Sequence, residues 1–118
     1  MSDDAHACGL DIALSVVGGK WKPFILFHLA GGPCRFGQLR SLVIGISEKV
    51  LMQQLRELEA DGIVSRHDYQ QLRPRVEYDI TAFGQTLAAA LVPLCNWGEA
   101  HRKQINRIQL RRDAPQLA

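Results

Sequence analysis

Between Gly45 and Thr81 the chain reads GISEKVLMQQLRELEADGIVSRHDYQQLRPRVEYDIT, and no other stretch constrains the fold as much. Leu51, Leu55 and Leu58 recur at i, i+4 and i+7, which sets three apolar side chains on one stripe of an α-helix. Ser47 stands where its hydroxyl can accept from the free N–H groups of a first turn. Gly62 marks the stop. At about 100° per residue, Lys49, Gln53, Arg56 and Ala60 lie opposite the stripe, and Gln54 and Glu57 flank it. Beyond Gly62, Ile63 to Tyr69 is extended in composition. Arg75 to Ile80 alternates, with Val76, Tyr78 and Ile80 on one face and Arg75, Glu77 and Asp79 on the other. The connection, about five residues by this spacing, is too long for a two-residue turn. It carries Arg73, Pro74 and Arg75. A helix with one polar face, beside a hairpin with a basic tip, is a layout able to enter a DNA groove and hold its flank.

The rest of the chain is compatible with this. At 118 residues it has room for one domain with a modest core. Net charge is +2, too small to announce nucleic acid alone, but the excess is local. It sits in the Arg73–Arg75 loop and in the tail at Arg102, Lys103, Arg107, Arg111 and Arg112. No apolar run is long enough to span a bilayer, and the start, MSDDAHACGLD, is acidic where a signal peptide is basic. A cytoplasmic location without membrane contact is the expectation. Cys8, Cys34 and Cys95 are far apart and show no CxxC spacing, which speaks against a disulfide framework and a zinc site. His6, His28, His67 and His101 show no ligand spacing either, so neither metal nor cofactor is expected.

Glycines and prolines punctuate three earlier helices. The first is expected over Asp11 to Val17, with Leu10, Ile12, Leu14 and Val17 as apolar candidates. The second runs from Pro23 to Ala30, with Phe24, Ile25, Leu26 and Leu29 on its apolar face and Pro23 in the first turn. A short strand separates it from the third, Phe36 to Val43, which should bury Phe36, Leu39 and one of Leu42 or Val43. After the hairpin, Thr81 can cap a helix running from Ala82 to Arg112. Pro93 should kink it near residue 89. Along it Leu87, Leu91, Leu94, Gly98, His101, Ile105 and Ile108 alternate at four and three, a heptad seam with Trp97 beside it. That stripe is longer than a domain of this size needs for its own core. It predicts a second copy of the chain, with the first helix helping to build the homodimer.

The blocks Gly18-Gly19-Lys20-Trp21, Arg35-Phe36 with Leu39-Arg40, Gly45-Ile46-Ser47 with Lys49, Leu55-Arg56-Glu57-Leu58, Asp61-Gly62, and Pro74-Arg75-Val76-Glu77-Tyr78 with Thr81 and Gly84 occur in order. Together they resemble the HxlR family of bacterial winged helix-turn-helix transcriptional regulators, relatives of the MarR type. The resemblance covers Cys8 to about His101. It implies an α+β, mostly α fold: a winged helix-turn-helix with N- and C-terminal dimerisation helices. Residues 1–118 then form a single domain. Its parts are a flexible arm at 1–10, a recognition helix at 47–61, a wing hairpin at 63–80 and a dimerisation helix at 82–112. The sequence departs from the family pattern at Gly9, at Ile44 and at Gln70-Gln71-Leu72 in the wing.

The candidate sites follow. Ser47, Lys49, Gln53, Gln54 and Arg56 are expected to meet the major groove, where Gln and Arg side chains can bond bidentately to adenine and guanine edges. The alternative is a solvated helix face, with Arg56 paired to Glu59 or Asp61. Arg73 and Arg75 are expected at phosphates or the minor groove, or else keep an edge strand soluble. Lys22, Arg35 and Arg40 are expected to touch phosphates; for Arg35 and Arg40 the alternative is a structural ion pair. Cys8, with His6 close by, is the candidate sensor of oxidants or electrophiles, which the family resemblance supports. The alternative is an unreactive thiol in a tail. Cys95 is expected to be buried in packing, and Cys34 to lie in the core or at a strand edge.

The function these features support is a homodimeric, sequence-specific DNA-binding regulator, a repressor by expectation, acting on double-stranded DNA at a near-palindromic operator. Two-fold symmetry places the half-sites about one helical turn or a multiple apart. One rival is a winged helix used for protein–protein contact. The other is an enzyme with Cys8 or Cys95 as nucleophile. It lacks a Cys-His-Asn/Asp constellation on a folded segment and a phosphate-cradling glycine loop.

Overall fold

The structure is a computed structural model and describes residues 8–70 and 75–113. Its elements in order are α1 (Gly9–Val17), α2 (Lys22–Leu29), β1 (Cys34–Arg35), α3 (Phe36–Leu42), α4 (Glu48–Ala60), β2 (Val64–Asp68), β3 (Val76–Ile80), α5 (Ala82–Ala100) and α6 (Arg102–Asp113). The strands form one antiparallel sheet in the order β1-β3-β2. By contacts the chain divides into two compact units at Ala88/Ala89, within α5.

The first unit is built around α4. Ser47 caps it, its hydroxyl accepting the Val50 N–H at 3.1 Å; such a cap contributes about 1 kcal/mol. The other end closes in a Schellman motif. Gly62 adopts φ +75°, where a side chain would be strained. Its N–H reaches the Glu59 carbonyl, and the Ile63 N–H reaches the Leu58 carbonyl at 2.9 Å. The apolar stripe goes inward as its spacing requires: Leu51, Leu55 and Leu58 are fully buried. They join Ile25, Leu26 and Leu29 of α2, Leu39 of α3, and Ile63 and Val64 in a core of fully buried side chains.

The hairpin register pairs Val64 with Ile80 and Asp68 with Val76. The Tyr69 N–H then bonds the Arg75 carbonyl at 2.9 Å, leaving residues 70–74 as the connection. Thr81 caps α5 as its position suggests, its hydroxyl accepting the Gly84 N–H at 2.9 Å. The same hydroxyl donates to the Gly62 carbonyl at 2.7 Å, which ties the start of α5 to the end of α4.

Several expectations change. Helix α1 starts at Gly9, so residues 9 and 10 belong to a helix and not to an N-terminal arm; residues 1–7 lie outside the described ones. Phe24 is exposed, because the inward positions of α2 are 22, 25, 26 and 29, and residue 24 falls on the side of the helix opposite that stripe. Phe36 is only half-buried, whereas of the two alternatives at the end of the third helix Val43 is the buried one and Leu42 is exposed. The reason is that α3 ends at Leu42 and the backbone leaves the helix at Val43, which turns that side chain inward.

The second unit holds the remainder of α5 and all of α6. The helix runs unbroken through Pro93, and the interruption falls at His101. Cys95 is exposed and not buried in packing. The seam is similarly uncovered within one chain. Leu94, Trp97 and Ile108 are 66%, 56% and 42% exposed, His101 is exposed, and Leu87, Leu91 and Ile105 are half-buried. His101 stacks on Trp97 with ring centroids 4.8 Å apart.

Candidate nucleic-acid interface

The outer face of α4 carries Lys49, Gln53 and Arg56, all exposed, with Gln54 half-buried at its edge. Ser47 is exposed, but its hydroxyl is engaged as the cap. Arg56 forms no ion pair among the described residues, so neither Glu59 nor Asp61 claims it. Its guanidinium retains five donors in a fork that fits a guanine edge or a phosphate.

The other cations differ in how free they are. Arg40 meets Glu48 at 3.5 Å across the turn between α3 and α4, both side chains well exposed, a pair of little energetic weight. Arg35, exposed at the start of α3, faces Glu77 across the β1–β3 register. Lys22 is buried, and its ammonium donates to Glu57 at 2.6 Å. It is therefore an internal ion-pair partner and not an open phosphate contact.

In the wing, Arg73 lies outside the described residues. Arg75 is half-exposed, and its guanidinium donates to the Glu77 carboxylate at 2.6 and 3.1 Å while lying 5.1 Å from the centre of the Tyr69 ring. The Arg75 hydrogen bonds are the main reason the Glu77 carboxyl is held below the usual carboxylate range. Sequence reasoning missed two groups here. Arg66 is an exposed cation on β2, in register with Tyr78, and no spacing in the sequence marked it. Lys20 lies 4.6 Å over the Trp21 ring, a cation–π contact for which adjacency in sequence was the only hint.

The cysteines sort by environment. Cys34 is buried in β1. Burial first, and the Asp79 and Glu77 carboxylates after it, push its thiol up, which makes it a poor nucleophile. Cys8 is exposed at the N-cap position of α1, and its side chain makes no capping bond. His6 lies outside the described residues. No metal-binding group of His, Cys, Asp or Glu occurs among the described residues. No described helix is long and apolar enough to cross a membrane.

Comparison with known proteins agrees with this layout. The family model of HxlR-like helix-turn-helix proteins matches residues 16–106. The helix-turn-helix-type transcriptional regulator YdeP of Bacillus subtilis (strain 168) is 41% identical, over 96% of this chain and 88% of its own. Among solved structures, the redox regulator HypR in its reduced form superposes with a TM-score of 0.80 at 41% identity, covering 85% of this chain and 99% of HypR. Diamide-treated YodB from Bacillus subtilis gives 0.68 at 30%, covering 80% and 94%. The chain therefore belongs to the HxlR-like helix-turn-helix family of DNA-binding transcriptional regulators.

Proposed function

We propose that this regulator acts in the cytoplasm as a homodimeric repressor. Helix α4 enters the major groove of each half of a near-palindromic operator, and the wing holds the flanking backbone. The observation that carries this is the division of α4: Leu51, Leu55 and Leu58 are fully buried while Lys49, Gln53 and Arg56 are exposed. Gln53 and Arg56 read base edges. Lys49 and Gln54 flank them, and Ser47 fixes the helix start. Arg73, Arg35 and Arg40 take phosphates; Arg75, already bound to Glu77, contributes less. The second copy is supported by apolar side chains left open in one chain: Leu10, Ile12 and Leu14 on α1, and Leu94, Trp97 and Ile108 on α5 and α6. These helices form the dimer contact, with Leu87, Leu91, His101 and Ile105 completing the seam.

Fluorescence anisotropy on promoter duplexes at rising salt tests the DNA reading. The logarithm of affinity should fall linearly with the logarithm of salt concentration, by about 0.9 for each phosphate neutralised. An affinity indifferent to salt would sink it in favour of the protein–protein alternative.

Cys8 is proposed as the sensor, on its exposure and on the redox function that the name of HypR carries. Two Cys8 thiols, one from each protomer, lose two protons and two electrons and join as a disulfide. Diamide takes up both and becomes the hydrazine. Diamide should change the operator affinity of the wild type and leave Cys8→Ser unaffected. The same response in both would remove Cys8 from the account.

A further inference from the structure

On β3 the buried Tyr78 and Ile80 turn to the core, so Glu77 turns to the opposite side of the sheet. The register sets Arg35 of β1 on one side of Glu77 and His67 of β2 on the other. Directly opposed residues of antiparallel strands share a face, with Cβ atoms about 5 Å apart. Arg75 completes the group. Its Nη2 and Nε both donate to one Glu77 oxygen, at 2.6 and 3.1 Å, and its guanidinium lies 5.1 Å from the centre of the Tyr69 ring. Arg35 forms no ion pair among the described residues, so the carboxylate is committed to Arg75.

The two partners differ in exposure: the Glu77 side chain is 15% exposed and that of Arg75 39%. The carboxylate is held in the protein, and the guanidinium is the part that DNA can reach. Sequence-independent affinity comes from cations that neutralise phosphates and release counterions. A guanidinium with a carboxylate at 2.6 Å presents a dipole and has little net charge to give. A phosphate oxygen bonded to its free edge would stand nearer to Glu77 than the Debye length, about 8 Å at physiological salt, so the repulsion is not screened away.

We propose that Glu77 masks the wing: its carboxylate takes the Arg75 charge that would otherwise neutralise a phosphate, and so restrains the affinity of this chain for DNA of any sequence. This rests on the wing lying along the DNA backbone. Phosphate contacts carry no sequence information, and a genome offers an excess of competing non-specific sites. The mask leaves discrimination to α4.

Two duplexes supply the probe, a consensus selected by the wild-type chain from a randomised library and an unrelated sequence of equal length. Anisotropy at several salt concentrations compares wild type, Glu77→Gln, Glu77→Gln/Arg75→Gln and Asp79→Asn. Glu77→Gln removes the charge and keeps an acceptor for Arg75. Asp79 lies on the same face of β3, but its carboxylate accepts the Ile80 N–H at 2.8 Å and holds no arginine. Asp79→Asn therefore measures the loss of one negative charge alone. In Glu77→Gln, affinity for both duplexes should rise by roughly tenfold for each phosphate gained, and the salt slope should steepen by about 0.9 for each. Adding Arg75→Gln should remove the gain, and Asp79→Asn should give much less. If Glu77→Gln folds poorly, Glu77→Thr gives the same reading, because a β-branched residue suits a central strand.

Unchanged affinity in the Glu77 variants would overturn the mask. A loss on both duplexes would also overturn it, by making Glu77 a group that positions Arg75 for its phosphate. An equal gain in Asp79→Asn, or a gain that survived Arg75→Gln, would reduce the effect to net charge and overturn it likewise. A gain on the consensus alone would make position 77 a base contact instead. Wild-type affinity indifferent to salt would overturn the DNA reading itself and this inference with it.

Discussion

Gly84→Ala is expected to destabilise the fold by about 3 kcal/mol, the upper part of the range for overpacking a well-packed site. Helix propensity argues the other way, since alanine in a helix interior is favoured over glycine by about 1 kcal/mol. Sterics decide the sign. Gly84 is the buried residue of α5. A Cβ there would collide with the Ile63 carbonyl oxygen and stand 2.7 Å from Ile80 Cγ1. Neither neighbour can give way cheaply. The Ile63 carbonyl accepts the Thr81 N–H at 3.0 Å, and Ile80 is buried and paired with Val64. Moving the helix start instead would pull on the Thr81 cap, which holds Gly84 and the Gly62 carbonyl together. A loss of this size lowers the melting temperature by roughly 10 °C for a domain of this length. Calorimetry at one fixed protein concentration measures it, because the proposed homodimer makes the midpoint concentration-dependent. A midpoint at or above that of the wild type would mean that propensity wins and the close approach is relieved elsewhere.

Gln53→Ala/Arg56→Ala should weaken binding to a selected operator duplex by about 3 kcal/mol, roughly two orders of magnitude, if each side chain makes one good base contact per half-site. Alanine is the best helix former, and both positions are exposed, so the helix and the melting temperature should survive. The loss should be smaller on unrelated duplexes, where only the Arg56 charge is missed. The salt slope should drop by about one unit per lost phosphate contact if Arg56 touches phosphate, and stay unchanged if it touches guanine alone. Anisotropy at several salt concentrations separates these outcomes. Unchanged affinity on every duplex would mean that α4 is not the reading helix.

One prediction acts inside the Gly45–Thr81 stretch and the other just beyond it, and the features around them were unequally legible. The stripe of Leu51, Leu55 and Leu58, the Ser47 cap and the Gly62 stop are local rules of one helix, and each is realised at its expected residue. The alternation of β3 likewise predicted Tyr78 and Ile80 as its buried face. Local rules failed where a side chain's fate depends on an element far away. Phe24 is as apolar as Ile25, but only the direction of α2 toward the core leaves it outside. Cys95 reads as packing, yet nothing in one chain covers it.

What the sequence determined by itself was periodicity and punctuation: which segments are helix or strand, where most of them stop, and which face of α4 is polar. These depend on side chains within a turn or two of one another, so spacing is enough to read them. The tertiary structure decided which charges are available. Lys22, Arg75 and Arg56 look alike as cations in a list of candidates. Folding buries the first against Glu57, clamps the second to Glu77 and Tyr69, and leaves the third exposed and without an ion pair among the described residues. The Lys22–Glu57 partnership spans 35 positions. Such a pairing is set by how helices pack, which no local spacing encodes.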